Sequence, residues 1–206
     1  MRKITFALLL LAVVVVACSK NEKPAAEVKE PAQAHPQEKL APETVAPQLI
    51  KESTVGLAKI GMTTEELRQQ YPQYTFQDKP VYEFGVDGEG KGLIAMQNDQ
   101  PQFFVWTLDG ENTVHGIVVL SEGFVTEDGL KVGTTIEQIL EKYPEAEIQR
   151  DGIDPNMEYI NIEDKKITLH FINPPDQTIG EYETDNPDET SRSFDLDRKV
   201  DRIYVN

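Results

Sequence analysis

Residues 59–72 read KIGMTTEELRQQYP, and residues 131–144 read KVGTTIEQILEKYP. In each copy a threonine, Thr63 or Thr135, stands where a helix would begin, and a Glu or Gln three residues later completes a capping box. Tyr-Pro closes each copy, because the residue before a proline is disfavoured in helical geometry. Two capped helices can share a domain by coincidence, but agreement at Lys, Gly, Thr, Glu, Tyr and Pro indicates an internal duplication.

The strands that follow the two helices support this interpretation. Residues 106–109 (WTLD) match residues 194–197 (FDLD), and each stretch leads into a Val-x-x-Ile-x-Val strand, at residues 114–119 or 200–205. Apolar alternation predicts further strands at residues 81–84, 93–96, 103–108, 157–162 and 166–172. Each half therefore consists of a helix followed by several antiparallel strands.

Helices gathered on one side of an antiparallel sheet make an α+β fold. We therefore expect one α+β domain, residues 50–206, built of two tandem helix-plus-antiparallel-sheet repeats at about 53–121 and 122–206. The apolar positions of the helices predict which side chains pack against the sheet. These are Leu67, Tyr71, Ile139, Leu140 and Tyr143.

The amino-terminal residues form a targeting signal. Two basic residues precede an apolar run at residues 6–17, which is shorter than the roughly 20 residues that span a bilayer. The run ends in Val-Val-Ala-Cys, which resembles the lipobox of bacterial lipoproteins. This resemblance implies a signal peptide of residues 1–17 and acylation of Cys18, the only cysteine in the chain. The alternative is an ordinary secretory signal with an incidental cysteine.

Residues 18–49 are predicted to be a disordered tether. They contain five prolines and no aromatic residue, so they cannot bury enough apolar surface to fold. A proline-rich segment of this kind is semi-extended and would hold the domain away from the membrane. Position 19 is a serine, whereas in this class of lipoproteins an aspartate there marks retention in the inner membrane. We therefore expect the outer membrane of a Gram-negative envelope, with the domain facing the periplasm or the cell surface.

The mature chain is strongly acidic. Without the two basic residues of the signal it has 18 basic and 36 acidic residues, a net charge of −18. Such a surface repels nucleic acid and anionic lipid, so we expect no nucleic-acid partner and membrane contact only through Cys18. It favours cations or a basic protein. Acidity that serves only solubility is the simpler interpretation.

No motif for catalysis or for a cofactor is present. The sequence lacks a Gly-x-Ser-x-Gly elbow, a phosphate-binding glycine motif and His-Glu-x-x-His. His115 and His170 fall inside predicted strands, where packed or half-exposed histidines are commoner than ligands. Oxygen-rich loops at residues 151–156 and 185–189 lack the spacing of a calcium-binding helix-loop-helix, which leaves acidic turns or weak cation binding. We expect a protein that is not an enzyme and that has no cofactor or metal.

Two features are candidates for contact with a partner. Neighbouring phenylalanines in the predicted strand at residues 103–108 point to opposite faces, so one of them would be exposed. The acidic run at residues 181–189 lies in a long loop that has no counterpart in the first half, and it is too polar to contribute to the core. The alternatives are core aromatics with one incidental aromatic at the surface, and a solvated loop without a partner. The expected contact residues are Phe103, Phe104, Asp185, Asp188 and Glu189.

The C-terminal part resembles a known family. Residues 118–121 (VVLS), 128–134 (DGLKVGT) and 199–203 (KVDRI) are similar to the sigma-E-regulated lipoprotein family of enterobacteria, a domain of unknown function. Weaker similarity extends back to about Ser53. The resemblance implies an α+β envelope lipoprotein with no established activity, although members with a cysteine pair in the second half differ from this chain. The repeated Gly-x-Thr-x-Glu helix also resembles the small lipoprotein of the outer-membrane β-barrel assembly machine and the β-lactamase-inhibitor fold.

Two classes of function remain open. The first is a non-enzymatic envelope protein with a scaffolding, interaction or stress-related role. The second is an inhibitor or binder of a basic extracellular protein such as lysozyme, which the negative charge and the resemblance to the inhibitor fold favour.

Replacing the predicted acylation site tests the anchor. In a Cys18→Ala variant no thiol remains to carry acyl chains, so the protein should stay uncleaved or become soluble. Fractionation of the envelope, with metabolic labelling by a radioactive fatty acid, measures both effects. A variant that still fractionates with the outer membrane would show that Cys18 is not the anchor.

Overall fold

The structure is a computed structural model that describes residues 47–88, 90–154, 156–186 and 188–206. The predicted signal peptide, Cys18 and the tether as far as residue 46 lie outside the described residues. In the described ranges no helix has the length and apolar character needed to cross a membrane.

The described residues form two α-helices and thirteen β-strands. The helices are α1 (Thr64–Gln70) and α2 (Ile136–Lys142). The strands are β1 (Gln48–Lys51), β2 (Thr54–Val55), β3 (Ala58–Lys59), β4 (Thr75–Pro80), β5 (Lys91–Gln97), β6 (Gln100–Thr107), β7 (Val114–Val119), β8 (Phe124–Thr126), β9 (Ile148–Arg150), β10 (Met157–Ile162), β11 (Ile167–Ile172), β12 (Thr190–Ser191) and β13 (Arg202–Val205).

The strands make two sheets. Nine of them form an antiparallel sheet in the order β12-β9-β10-β11-β13-β7-β6-β5-β4. The other four form a small sheet in the order β3-β2-β1-β8, in which β1 and β8 run parallel. The first strand begins at Gln48, two residues before the domain boundary expected at residue 50. The architecture is mixed α+β with mostly antiparallel sheets, in agreement with the predicted class.

Both helices begin with the predicted capping box. The Thr63 hydroxyl accepts a hydrogen bond from the backbone N–H of Glu66, and the Glu66 carboxylate accepts one from the backbone N–H of Thr63. Thr135 and Gln138 make the same pair of bonds at the start of α2. Each box satisfies two N–H groups that the first turn of a helix would otherwise leave unpaired.

Both helices pack on one face of the large sheet, which we call the helix face. Leu67 of α1 and Ile139 of α2 are fully buried in the same apolar cluster as Phe103 and Val105 of β6. Of the other side chains predicted to hold the helices, Tyr71 is buried, whereas Leu140 and Tyr143 are partly buried against this cluster. The Tyr71 hydroxyl also links α1 to the small sheet, because it donates a hydrogen bond to the carbonyl of Val55.

The opposite face is covered by a strap, residues 81–88. The strand predicted at residues 81–84 is wrong: Val81–Phe84 is a 3₁₀ turn that follows β4. In a 3₁₀ turn residues three apart point the same way, so Val81 and Phe84 are both buried against the sheet. The Phe84 ring stacks on the ring of Phe104, with centroids 3.9 Å apart. We call this side the strap face.

The large sheet has a seam where β7 pairs with β13. Strands β4 to β7 lie on one side of the seam, and β9 to β13 lie on the other. The strap crosses it, because the Tyr204 hydroxyl of β13 donates a hydrogen bond to the carbonyl oxygen of Phe84. Arg202 of β13 also lies over the Phe84 ring, at 5.6 Å from its centroid. The strap therefore ties the two parts of the sheet together on the strap face.

Two glycines leave room for the aromatic side chains beneath the strap. A Cβ atom on Gly92 would lie 2.2 Å from the Phe104 ring, and one on Gly116 would lie 2.1 Å from the indole of Trp106. Contacts that short are impossible, so the rings rest directly on the backbone of β5 and β7. Glycine in the middle of a strand often marks such a close approach.

Adding a methyl group at Gly116 should therefore displace the Trp106 indole. Overpacking a close-packed core typically costs about 1–3 kcal/mol, so we expect Gly116→Ala to lower the free energy of unfolding by that amount. Urea denaturation monitored by tryptophan fluorescence measures it, since Trp106 is the only tryptophan. The control is Gly123→Ala, where the nearest atom to the new Cβ lies at 3.6 Å. Equal stability of the two variants would contradict this packing.

Candidate partner-binding groove

Phe103 and Phe104 are both fully buried, although one of the two was expected to be exposed. They do point to opposite faces, but each face is covered: Phe103 lies in the helix-face cluster and Phe104 lies under the strap. The expectation that one of them is exposed is therefore wrong, because it assumed a sheet with a single buried face. Neither side chain is available to a partner.

The acidic run at residues 181–189 lies far from these phenylalanines. The loop joins β11 to β12, and β12 is six strands from β6 in the sheet order. At roughly 4.8 Å per strand this separation is about 29 Å. The structure thus does not bring together the two features that the sequence suggested as one contact surface.

A buried carboxylate organises the first part of this loop. Glu158 of β10 is fully buried, and its carboxylate oxygens accept four hydrogen bonds. The donors are Asn173 Nδ2 at 2.5 Å, the N–H of Ile179 at 2.5 Å, the N–H of Gly180 at 3.0 Å and the Tyr182 hydroxyl at 2.7 Å. A buried charge is tolerated when it is hydrogen-bonded in this way. Tyr182 also packs against the core. The expectation that the acidic run is too polar to contribute to the core is therefore wrong at this residue.

The rest of the acidic run is folded as well. The Glu189 carboxylate accepts hydrogen bonds from the backbone N–H groups of Glu183 and Thr184, and Arg150 donates to the carbonyl of Thr184 at 2.6 Å. Hydrogen bonds from the Thr184 hydroxyl and from Glu183 lower the pKa of the Glu189 carboxyl. Glu189 is therefore a structural residue, whereas the expected contact residues Asp185 and Asp188 are exposed.

The two histidines of the sheet differ in burial. His115 is exposed on β7, while the His170 ring is stacked between Tyr204 at 3.9 Å and Tyr159 at 5.6 Å between centroids. His170 is 7% exposed, and its Nδ1 has no hydrogen-bond partner among the described residues. The environment of His170 is that of a packed neutral ring, as the sequence favoured.

The loop after β9 uses its carboxylates to shape the chain. Asp151 Oδ1 accepts hydrogen bonds from the N–H groups of Ile153 and Asp154, at 2.8 and 2.9 Å. Asp154 Oδ1 accepts one from the N–H of Asn156 at 2.9 Å. These bonds are typical of aspartate-capped turns. In the part of the chain that the structure describes, no group of three or more His, Cys, Asp or Glu side chains is placed to hold a metal ion.

A groove of about 300 Å³ lies between the strap and this turn, on the strap face. Its lining residues are Tyr82, Gly85, Val86, Asp87, Gly88, Asp151, Ile153, Asp154 and Met157. The strap supplies one wall and residues 151–154 supply the other, so the groove lies over the second half of the large sheet. Gly85 allows the strap to lie close to β13, since a Cβ at this position would lie 2.7 Å from the Tyr204 hydroxyl.

The two rims of the groove carry exposed apolar side chains. Tyr82 is 68% exposed and Ile153 is 71% exposed, the highest values of any large hydrophobic residue among those described. The 3₁₀ turn causes the exposure of Tyr82, because Val81 and Phe84 point to the sheet and Tyr82 then points away. Three carboxylates lie between the rims: Asp87, Asp151 and Asp154. The groove is therefore both apolar and negatively charged.

Comparisons with known proteins give the fold and no family. No protein-family model and no curated protein matches the chain. Among solved structures it is similar to the crystal structure of the uncharacterized protein yfeY from Escherichia coli, with a TM-score of 0.52 and 16% identity. The match covers 78% of this chain and 99% of that chain. At this identity the likeness shows a shared fold.

The sequence contained partial signals for the groove. The Asp-Gly-x-Asp run at residues 151–154 is oxygen-rich, but this pattern predicts no role for Ile153. The alternation at residues 81–84 predicts a strand for Tyr82. Pro80, which ends β4, is the local signal for a turn, since proline cannot donate to a sheet ladder and fixes the backbone at the start of a turn. The pairing of Tyr82 with Ile153 has no sequence signature.

The burial of His170 makes the stability of the fold depend on pH. Burial lowers the pKa of His170 to about 4; Arg202 also lowers it, and Asp151 opposes the shift. In the unfolded chain the pKa is about 6.5, so between pH 6.5 and 4 only the unfolded state gains the proton. The free energy of unfolding should therefore fall on acidification through this range, by up to about 3 kcal/mol.

Urea denaturation at pH 7, 5.5 and 4.5 measures this dependence. Replacing His170 with Phe keeps an aromatic ring between Tyr159 and Tyr204 and removes the titrating group, so its stability should fall less on acidification than that of the wild type. The control is His115→Phe, which changes an exposed histidine. Parallel curves for the wild type and His170→Phe would exclude His170 as the source.

Proposed function

We propose that this chain is a non-enzymatic interaction protein of a Gram-negative envelope, held at the outer membrane by acylated Cys18, with its domain facing the periplasm or the cell surface. The observation that carries the proposal is the groove between the strap and residues 151–154, whose rims expose Tyr82 and Ile153. Partner-binding surfaces are enriched in such aromatic and aliphatic anchors next to polar groups.

The groove is suited to binding because its walls are fixed before a partner arrives. The strap is held by the Phe84–Phe104 stack and by the Tyr204 hydroxyl. The opposite wall is held by the hydrogen bonds that Asp151 accepts. A preformed surface loses little conformational entropy on association, so more of the contact energy appears as affinity.

The same proposal includes the ancestry of the chain. We propose that the chain is a member of the sigma-E-regulated lipoprotein family and that its two halves arose by internal duplication. Matching backbone contacts in the two halves support the duplication. Gly61 N–H donates to the carbonyl of Val114, and Gly133 N–H donates to that of Val200, both at 2.8 Å. The structural likeness to an uncharacterized protein of Escherichia coli supports the expected fold, and the family rests on the sequence resemblance.

A second function, binding or inhibition of a basic extracellular protein such as lysozyme, is favoured by the charge. Residues 50–206 contain 14 basic and 31 acidic residues, a net charge of −17, so nearly all of the negative charge belongs to the domain and not to the tether. Three of these acidic residues line the groove. Opposite charge on a partner would speed its association and make binding sensitive to salt.

Removal of the two rim side chains tests the proposal. The full chain in detergent micelles serves as bait in an envelope extract, and captured proteins are compared with those of a Tyr82→Ser/Ile153→Ser variant. Loss of buried anchors typically costs about 2 kcal/mol or more, so we expect capture to weaken roughly 30-fold.

The control is Leu57→Ser/Leu196→Ser, which removes two side chains that are 56% and 45% exposed at other places on the surface. Capture that is unchanged by the rim variant, or equally reduced by the control, would refute a role for the groove. Repeating the capture at high salt separates the two functions, since binding of a basic protein should weaken steeply and a mainly apolar contact should not.

A further inference from the structure

We infer that the groove binds a lysine or arginine side chain of a basic partner protein, with the alkyl stem against Tyr82 and Ile153 and the charged end among the three carboxylates. The inference rests on the proposed function and adds to it the chemistry of the partner. It follows from how the carboxylates of the groove are used within the fold.

Within the described residues, the acidic side chains of the groove form no salt bridge. Eight salt bridges occur among the described residues, and none includes Asp87, Asp151 or Asp154. Arg202 is a cation on the same face, but its guanidinium lies over the Phe84 ring. The lining of the groove contains three acidic residues and no basic one among those described, which gives it a negative potential that an incoming cation would relieve.

Two of the three carboxylates, those of Asp151 and Asp154, each have one oxygen that accepts no hydrogen bond within the described residues. Asp151 and Asp154 use Oδ1 for the hydrogen bonds that form the turn. Their Oδ2 atoms accept no hydrogen bond from any described residue. Asp87 on the strap makes no hydrogen bond within the described chain. Because the Oδ1 bonds fix the two side chains, the free oxygens are held in place for a donor.

The apolar side chains on the two rims would contact the alkyl stem of the bound lysine or arginine. Lysine and arginine have long methylene stems that prefer apolar contact while their charged ends stay polar. Tyr82 offers an aromatic face to a cation, an attraction that acts in addition to the charge. A bare metal ion would make no use of Tyr82 or Ile153, which is why we commit to a side chain on a protein. The volume of about 300 Å³ suits one or two side chains and is at the lower limit for drug-sized ligands.

An NMR titration of the full chain in detergent micelles tests the inference with a defined probe. The probe is a tetralysine peptide, and its matched form carries acetyl groups on every Nζ, which keeps the stems and removes the charges. We expect tetralysine to shift the backbone amide signals of Tyr82, Gly85, Asp151 and Ile153. The acetylated peptide should shift them at least about tenfold less at equal concentration.

The variant for this titration is Asp151→Asn/Asp154→Asn. Asparagine keeps the Oδ1 acceptor, so the turn should persist while two charges are lost. We expect the dissociation constant of tetralysine to rise about tenfold. The control is Asp195→Asn/Asp197→Asn, which makes the same charge change in a loop where Asp195 Oδ1 accepts a bond from the N–H of Asp197. It should leave the dissociation constant within about twofold.

Three results would overturn the inference: shifts that map outside the groove, equal binding of the acetylated peptide, or equal effects of the two variants. These outcomes leave the proposed function standing, because that function is judged by whether capture depends on Tyr82 and Ile153. If capture is independent of the rim side chains, the proposed function fails whatever tetralysine does.

Discussion

The central strands of the large sheet are apolar on both faces, and this constraint shapes the rest of the domain. In β6 the side chains of Phe103 and Val105 point to one face, and those of Phe104 and Trp106 point to the other. All four are buried, and exposing either pair to water would cost several kcal/mol. The sheet therefore needs a cover on each side. Two capped helices cover one side, and the strap at residues 81–88 covers the other.

The two covers differ in what they leave exposed. A helix packs one stripe of residues on the sheet and presents polar residues to water, as Glu65 and Glu66 of α1 show. The strap contains a single 3₁₀ turn, Val81–Phe84, and has too few residues to hide every apolar side chain. It buries Val81 and Phe84 and therefore exposes Tyr82. The groove thus arises from the way in which the strap face is covered. Its charge comes from Asp87 on the strap and from Asp151 and Asp154, which shape the neighbouring turn.

Buried polar groups hold the loops that surround this core. Glu158 gathers two backbone N–H groups and two side chains of the loop that follows β11, so a chain segment with little apolar content is ordered by hydrogen bonds. Glu189, which is partly exposed, does the same for the next few residues. Removing one partner of the Glu158 network would leave an unpaired buried group, which is more costly than the net gain of each bond. The long acidic loop is therefore part of the folded domain, and only some of its carboxylates face the solvent.

The sequence by itself determined the α+β class, both helices with their capping boxes, and most of the strands, because caps and alternation are local patterns read within a few residues. It determined that Leu67 and Ile139 belong to the core. It did not reveal β4, whose edge position leaves it polar, or the 3₁₀ turn that follows Pro80. Only the tertiary structure decided that Phe103 and Phe104 are both buried, and that Tyr82 and Ile153 line the same groove. Those outcomes depend on which segment crosses which face of the sheet, and residues about 70 positions apart leave no local pattern that predicts their proximity.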